Sequence, residues 1–153
     1  MFDTIFGLPV HALVVHAVVV LVPLCGLGVI ICALSGTWYA RLATPVLVLL
    51  TVSVPAAFVA EMSGHDLERR LPASDAIEHH AGLGSQAPWV VLLFWIVVLA
   101  WYLLERRHGR QGLSKTFLVI SVIAAVGATG YLVLVGDSGA RAAWEDVVSS
   151  TNP

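Results

Sequence analysis

One stretch near the start limits what this chain can fold into more than any other: Leu8–Leu34, LPVHALVVHAVVVLVPLCGLGVIICAL. Its 27 residues contain no Asp, Glu, Lys or Arg. A helix needs only about 20 such residues to cross a hydrocarbon layer about 30 Å thick. The residues before it, Met1-Phe2-Asp3, lack a basic run. The apolar segment is also far longer than the about 7–15 residues of a signal peptide. It is therefore read as a retained transmembrane span.

Composition extends this reading to the whole chain. Of 153 residues, 58% are hydrophobic and 12% charged, and the mean hydropathy is +0.88. Soluble domains carry about a quarter charged residues, so half that share points to lipid. The net charge of -2 and the short basic cluster Arg106-Arg107-His108-Gly109-Arg110 exclude a nucleic-acid surface. The lipid bilayer is the partner that composition implies.

Four apolar spans are expected, at about 8–34, 40–60, 79–104 and 113–135, in one membrane domain covering 1–153 with no internal repeat. Pro9 suits a first helical position, and Pro23 is expected to disturb the first helix from inside. Glu61 should close the second span and open a polar loop, Glu61–Glu78. Asp75 and Glu78 have capping-box spacing, and the third helix should run on unbroken through His79 and His80. Trp89, Trp95 and Trp101, six apart, should spread around it. In the fourth span, Ala124–Gly130 is rich in small residues that let helices approach closely in lipid. Gly136 should open a polar tail, 136–153, with a short interfacial helix at Ala140–Val148. Short connections favour an all-α, up-and-down four-helix transmembrane bundle.

Cys25 and Cys32 lie seven apart on one helix, roughly 10 Å, beyond the about 7 Å limit of a disulfide. They are read as small buried hydrophobes.

Charge sets the expected orientation. Arg41 and the group Arg106, Arg107, Arg110 and Lys115 face Glu105 alone, whereas nine of the ten acids fall at the other end with Arg69, Arg70 and Arg141. Basic loops stay cytoplasmic. Both termini are thus expected on the extracytoplasmic side of the inner (cytoplasmic) membrane.

Five of the six histidines, His11, His16, His65, His79 and His80, then share the outer half. Imidazoles within a bilayer segment are costly and mark function. His16 sits about 7.5 Å deeper than His11 and about 140° around the helix, so the two should serve different partners. Of His79 and His80, about 100° apart, His80 is favoured, because its face continues through Gly84, Ala87 and Val91 and leaves space. Two neutral imidazoles on separate helices can hold a haem iron from both sides. The expected axial pair is His16 and His80, with His11 and His79 as alternatives or a second pair. Arg69, Arg70 and Arg141 would meet the propionates, and Asp66 or Asp137 would orient imidazole N–H groups.

Two rivals stay open. One is a copper or zinc site built from His11, His65 and His79 or His80, which needs three or four convergent ligands. The other is a cofactor-free structural or assembly subunit, its histidines making inter-helix hydrogen bonds. Ser63 and Ser138 lack the setting of a nucleophile, since GDSGA is not the G-x-S-x-G pattern. An electron carrier or subunit therefore fits better than a stand-alone enzyme.

Gly7-Leu8-Pro9-Val10-His11 with Val15-His16, the histidines opening the third helix, and Gly130-Tyr131-Leu132-Val133 followed by Gly136-Asp137-Ser138-Gly139-Ala140 carry a resemblance over nearly the whole chain. With these residues it resembles the bacterial membrane family called domain of unknown function 2231. That family typically has proline soon after each first-helix histidine, where Ala12 and Ala17 stand here. The resemblance implies a layout similar to four-helix b-type cytochromes and cytochrome-like partners. The partners expected besides lipid are a redox protein or respiratory-type complex on the outer side, and a second copy of the chain in a homo-oligomer.

Overall fold

A computed structural model describes residues 4–5 and 8–151. Two short strands, β1 (Thr4–Ile5) and β2 (Leu8–Pro9), pair antiparallel. Five helices follow: α1 (Val10–Leu34), α2 (Gly36–Glu68), α3 (Asp75–Gly84), α4 (Ala87–His108) and α5 (Leu113–Thr151). With α3 and α4 taken as one broken rod, four spans are long and apolar enough to cross a membrane. The expected four-helix fold is present.

Ser35 alone separates α1 from α2. Its backbone is extended, and its Oγ accepts the Thr37 N–H at 3.2 Å as an N-cap, satisfying a helix-end donor that has no internal partner. In a ring of contacts, α1 touches α2 and α5, and α4 touches the same two helices, while α3 leans mainly on α5. Thr44–Tyr102, Thr51–Trp95 and Phe58–Trp89 contacts advance along α2 as they retreat along α4, so those helices are antiparallel.

The core alternates large and small groups. Val22, Cys25, Val29 and Cys32 of α1 meet Leu50 and Ala57 of α2, Val91, Phe94 and Trp101 of α4, and Ala125, Ala128 and Leu132 of α5. Both cysteines are free and buried. Gly26 lets α1 approach α5, because a Cβ there would stand 3.0 Å from Thr129 Oγ1. Only part of the Ala124–Gly130 stretch serves packing: Ala125 and Ala128 are buried, while Gly127 and Gly130 face outward.

Four boundaries differ from expectation. α1 begins at Val10, with Pro9 in β2. α2 runs on to Glu68, so Glu61–Glu68 is helix and only residues 69–74 connect to α3. The third span is broken rather than continuous. Pro88, at the first turn of α4, has no N–H to donate to the Gly84 carbonyl, and its ring crowds that carbonyl. The Leu83 carbonyl exposed by the break accepts Gln86 N–H at 3.2 Å and Tyr131 OH at 2.7 Å. Finally, α5 passes through Gly136 to Thr151, so the expected tail is part of the last helix. The cap of α3 is Ser74, whose Oγ accepts the Ile77 N–H, not a box between Asp75 and Glu78. Those two acids lie in the first turn of α3, where they favour the helix dipole.

At the far end of the bundle, Gly109 (φ 66°) and Gly112 (φ 48°) make the left-handed turn into α5. Arg110, between them, donates through Nη1 and Nη2 to the Ala33 and Cys32 carbonyls, both at 2.8 Å. It thereby pins the open C-terminus of α1.

Candidate functional site: a histidine pair on glycine seats

His11 is the second residue of α1, and His80 lies in the second turn of α3. Their ring centres stand 6.4 Å apart with an interplanar angle of 72°. Both rings are partly buried. The imidazoles of the first and third spans therefore do meet, but the first-span partner is His11, not His16.

Each ring is held by the span that follows its own, α2 for His11 and α5 for His80. His11 Nδ1 lies 2.8 Å from the Ala60 carbonyl of α2. A carbonyl only accepts, so Nδ1 carries the proton. Ser63 Oγ donates to that carbonyl as well, at 3.0 Å. His80 Nδ1 lies 3.0 Å from Ser138 Oγ of α5, and that hydroxyl spends its proton on the Val135 carbonyl at 2.8 Å. Ser138 therefore accepts, and His80 Nδ1 donates. In the neutral form each ring is then the Nδ1–H tautomer, with the Nε2 lone pair free for a ligand.

Glycine makes both seats. A Cβ on Gly64 would fall 2.9 Å from His11 Cε1, and a Cβ on Gly139 would fall 2.9 Å from His80 Cε1. The two halves of the bundle thus repeat one device: a histidine on the leading span rests on a Ser-Gly step, Ser63-Gly64 or Ser138-Gly139, of the returning span. The sequence alone suggests no repeat, and it offers Ser63 and Ser138 only as candidate nucleophiles. The paired Ser-Gly steps on α2 and α5 are the signal that could have found them.

The other expected site residues lie elsewhere. His16 is exposed, and its Nδ1 hydrogen-bonds the Ala12 carbonyl one turn back in its own helix. A five-residue offset from His11 turns it about 140° away, so a His16–His80 pair does not form. His79 is exposed beside its buried-side neighbour. His65 is helical rather than loop-borne. It sits on the exposed side of α2, with Nε2 3.2 Å from Glu61 and Nδ1 3.5 Å from Glu68. Arg69 and Arg70 are exposed just beyond α2, and Arg141, also exposed, pairs with Asp137 at 2.9 Å. Asp137 pairs with Arg141, and the Nδ1 atoms of the imidazole pair are held by the Ala60 carbonyl and Ser138. Among the described residues, no three His, Cys, Asp or Glu side chains converge to hold a metal ion. The three-ligand copper or zinc site expected from His11, His65 and His79 or His80 is not assembled.

Beneath the pair the bundle axis is closed by Val22, Leu50, Val91, Phe94 and Leu132, each almost fully buried.

These features define a multi-span helical membrane protein with a paired-imidazole site near one end. The chain belongs to the family described as predicted membrane protein (DUF2231), whose match covers residues 7–152. No curated protein and no solved structure matches it.

Proposed function

We propose that this protein is an electron carrier or redox subunit that holds a b-type haem between His11 and His80, near the extracytoplasmic face of the inner membrane. One observation carries the reading. Two imidazoles from separate spans have ring centres 6.4 Å apart, each with its Nδ1 bonded to a protein acceptor. Two metal–nitrogen bonds of about 2.0–2.1 Å plus two ring radii span about that distance.

The donor set fits the group. Haem iron takes two axial protein ligands, the macrocycle supplying the rest, and only two histidines meet here. When bound, the haem would supply a one-electron couple. The chain's own residues orient it. The Ala60 carbonyl and Ser138 fix which nitrogen of each ring is the ligand, and such hydrogen bonds raise ligand basicity. Arg69, Arg70 and Arg141, at the same end, suit propionates. The buried side chains of Val22, Leu50, Val91, Phe94 and Leu132 would give the group an apolar surrounding on its inner side.

Purified full-length protein should show a Soret band that shifts on reduction, and pyridine extraction should recover haem. His11→Ala and His80→Ala should each abolish the band, and His16→Gln should keep it. Absence of haem after expression with haem precursor and after reconstitution would overturn the reading.

A second reading rests on the same close approach of only two ligands: a two-coordinate copper(I) ion between the Nε2 atoms. Elemental analysis of the purified protein separates the two. In either case the partner is a redox protein or respiratory-type complex on the outer side.

A further inference from the structure

The short helix α3 carries His80, yet the bundle holds it lightly. Of its ten residues none is fully buried, whereas α4 beyond it buries a row that includes Phe94 and Trp101. The link that leads into α3, residues 69–74, is exposed throughout. An open cleft of about 610 Å³ lies between that link, the end of α2 at Glu68 and the first turn of α3. Elements with so little buried surface open at low free energy.

The junction with α4 is a break in the helical ladder. Gln86 N–H bonds the Leu83 carbonyl and Trp89 N–H bonds the Gln86 carbonyl, each three residues back, at 3.2 and 3.1 Å. Pro88 has no N–H to give to the Gly84 carbonyl. Gly82 and Gly84 stand just before this break. A Cβ on either would meet nothing within 4 Å, so close packing does not call for glycine there. What glycine supplies at these two positions is backbone freedom.

Two side-chain hydrogen bonds clasp α3 to α5. His80 Nδ1 meets Ser138 Oγ at 3.0 Å, and the Tyr131 hydroxyl donates to the Leu83 carbonyl at 2.7 Å. That carbonyl already accepts Gln86 N–H, so the tyrosine is not needed to satisfy it; its bond ties the junction to α5. His11 is placed differently. It sits on the long helix α1 and bonds the Ala60 carbonyl of α2, another long helix. One imidazole of the pair is thus fixed to continuous rods and the other rides on a short hinged one.

We propose that α3 is a gate over the imidazole pair. It pivots at Ser85-Gln86 and swings off α5, lifting His80 from its Ser138-Gly139 seat to admit or release what the two rings hold. Tyr131 is the latch that keeps it shut. A group gripped from both sides is freed when one grip lets go, and α3 is the side built to move. The gate rests on the reading that the pair holds a ligand, but its motion is measured with none bound.

The test follows the full chain in lipid nanodiscs, without added haem or metal. Acylation of His11 by diethyl pyrocarbonate, mapped by mass spectrometry, reports how often the ring is uncovered. Amide hydrogen exchange over residues 75–86 reports release of α3, since a freed ten-residue helix is too short to hold its own hydrogen bonds. Tyr131→Phe removes one hydrogen bond and should raise both rates about fivefold. Gly82→Ala/Gly84→Ala stiffens the pivot and should lower both about tenfold. The exposed His65 of α2 should react at an unchanged rate in every variant, and helix content and thermal unfolding report whether each one folds. Wild-type rates in Tyr131→Phe, equal changes at His65, or faster amide exchange in α3 without faster acylation of His11 would each overturn the gate. Failure to find haem or metal, with His11 acylation still following the latch and the pivot, would remove the ligand and leave the gate standing.

Discussion

The two ends of this bundle both bury polar groups, and they treat them differently. At the arginine end, Glu105 is buried and fully answered. Trp101 Nε1–H donates to one carboxylate oxygen, Ser114 Oγ–H approaches the same oxygen at 3.3 Å, and Arg110 Nε–H donates to the other at 2.8 Å. Arg110 then spends its two terminal nitrogens on the end of α1. Nothing in that cluster is left over for a ligand. At the histidine end each imidazole is satisfied on one nitrogen and keeps a lone pair on the other. A closed network specifies the fold, whereas a half-closed one held by matched seats is the arrangement expected of a binding site.

The contrast breaks most easily at the arginine end. Arg110→Ala leaves a buried carboxylate without its counter-charge and frees the α1 terminus. It should cost about 3–5 kcal/mol, read as a drop in thermal unfolding temperature in detergent, with the haem or metal content of surviving protein unchanged. Loss of cofactor in proportion to fold would mean that the two ends are not separable.

At the histidine end the seats should matter in the opposite sense. Gly139→Ala or Gly64→Ala pushes a methyl to 2.9 Å from an imidazole carbon. Overpacking of that kind costs about 1–3 kcal/mol, a smaller stability loss than at Arg110, yet it should remove cofactor binding because the ring is displaced. Ser138→Ala is milder. It deletes the acceptor that fixes the His80 tautomer and should weaken cofactor affinity about 10–100-fold, accompanied by a changed redox potential. A structural role alone would lower stability without moving that potential.

The smallest effect belongs to His16→Gln. The residue is exposed and bonded only to its own helix, so stability should change by no more than about 0.5 kcal/mol and the absorption spectrum should stay as in wild type. A lost spectrum would restore His16 as a ligand and dissolve the pairing described above.

Much of this is legible along the chain. Long uncharged runs compel membrane-crossing helices, because unsatisfied backbone groups are intolerable in hydrocarbon, and that requirement depends on composition alone. The burial of Cys25 and Cys32 and the scatter of Trp89, Trp95 and Trp101 follow from spacing around a helix. That histidines of the first and third spans lie at one end follows from their positions in those runs. The break at Ser85-Gln86 is also present in the sequence, as Pro88, but the apolar pattern continues across it and hides it.

Which histidine faces which is a different kind of question. His11 and His16 differ by a rotation, and rotation is decided by what each face packs against, not by the residues of the helix itself. Only the assembled bundle sets Gly64 and Gly139 against the two imidazoles, and only there do Ala60 and Ser138 choose the proton-bearing nitrogen. Sequence by itself determined how many spans there are, roughly where they run and at which end the polar groups gather, since those are matters of solvation summed along the chain. Tertiary structure alone decided the partners, because a contact between residues 11 and 80 exists only once close packing has fixed the angle of every helix about its own axis.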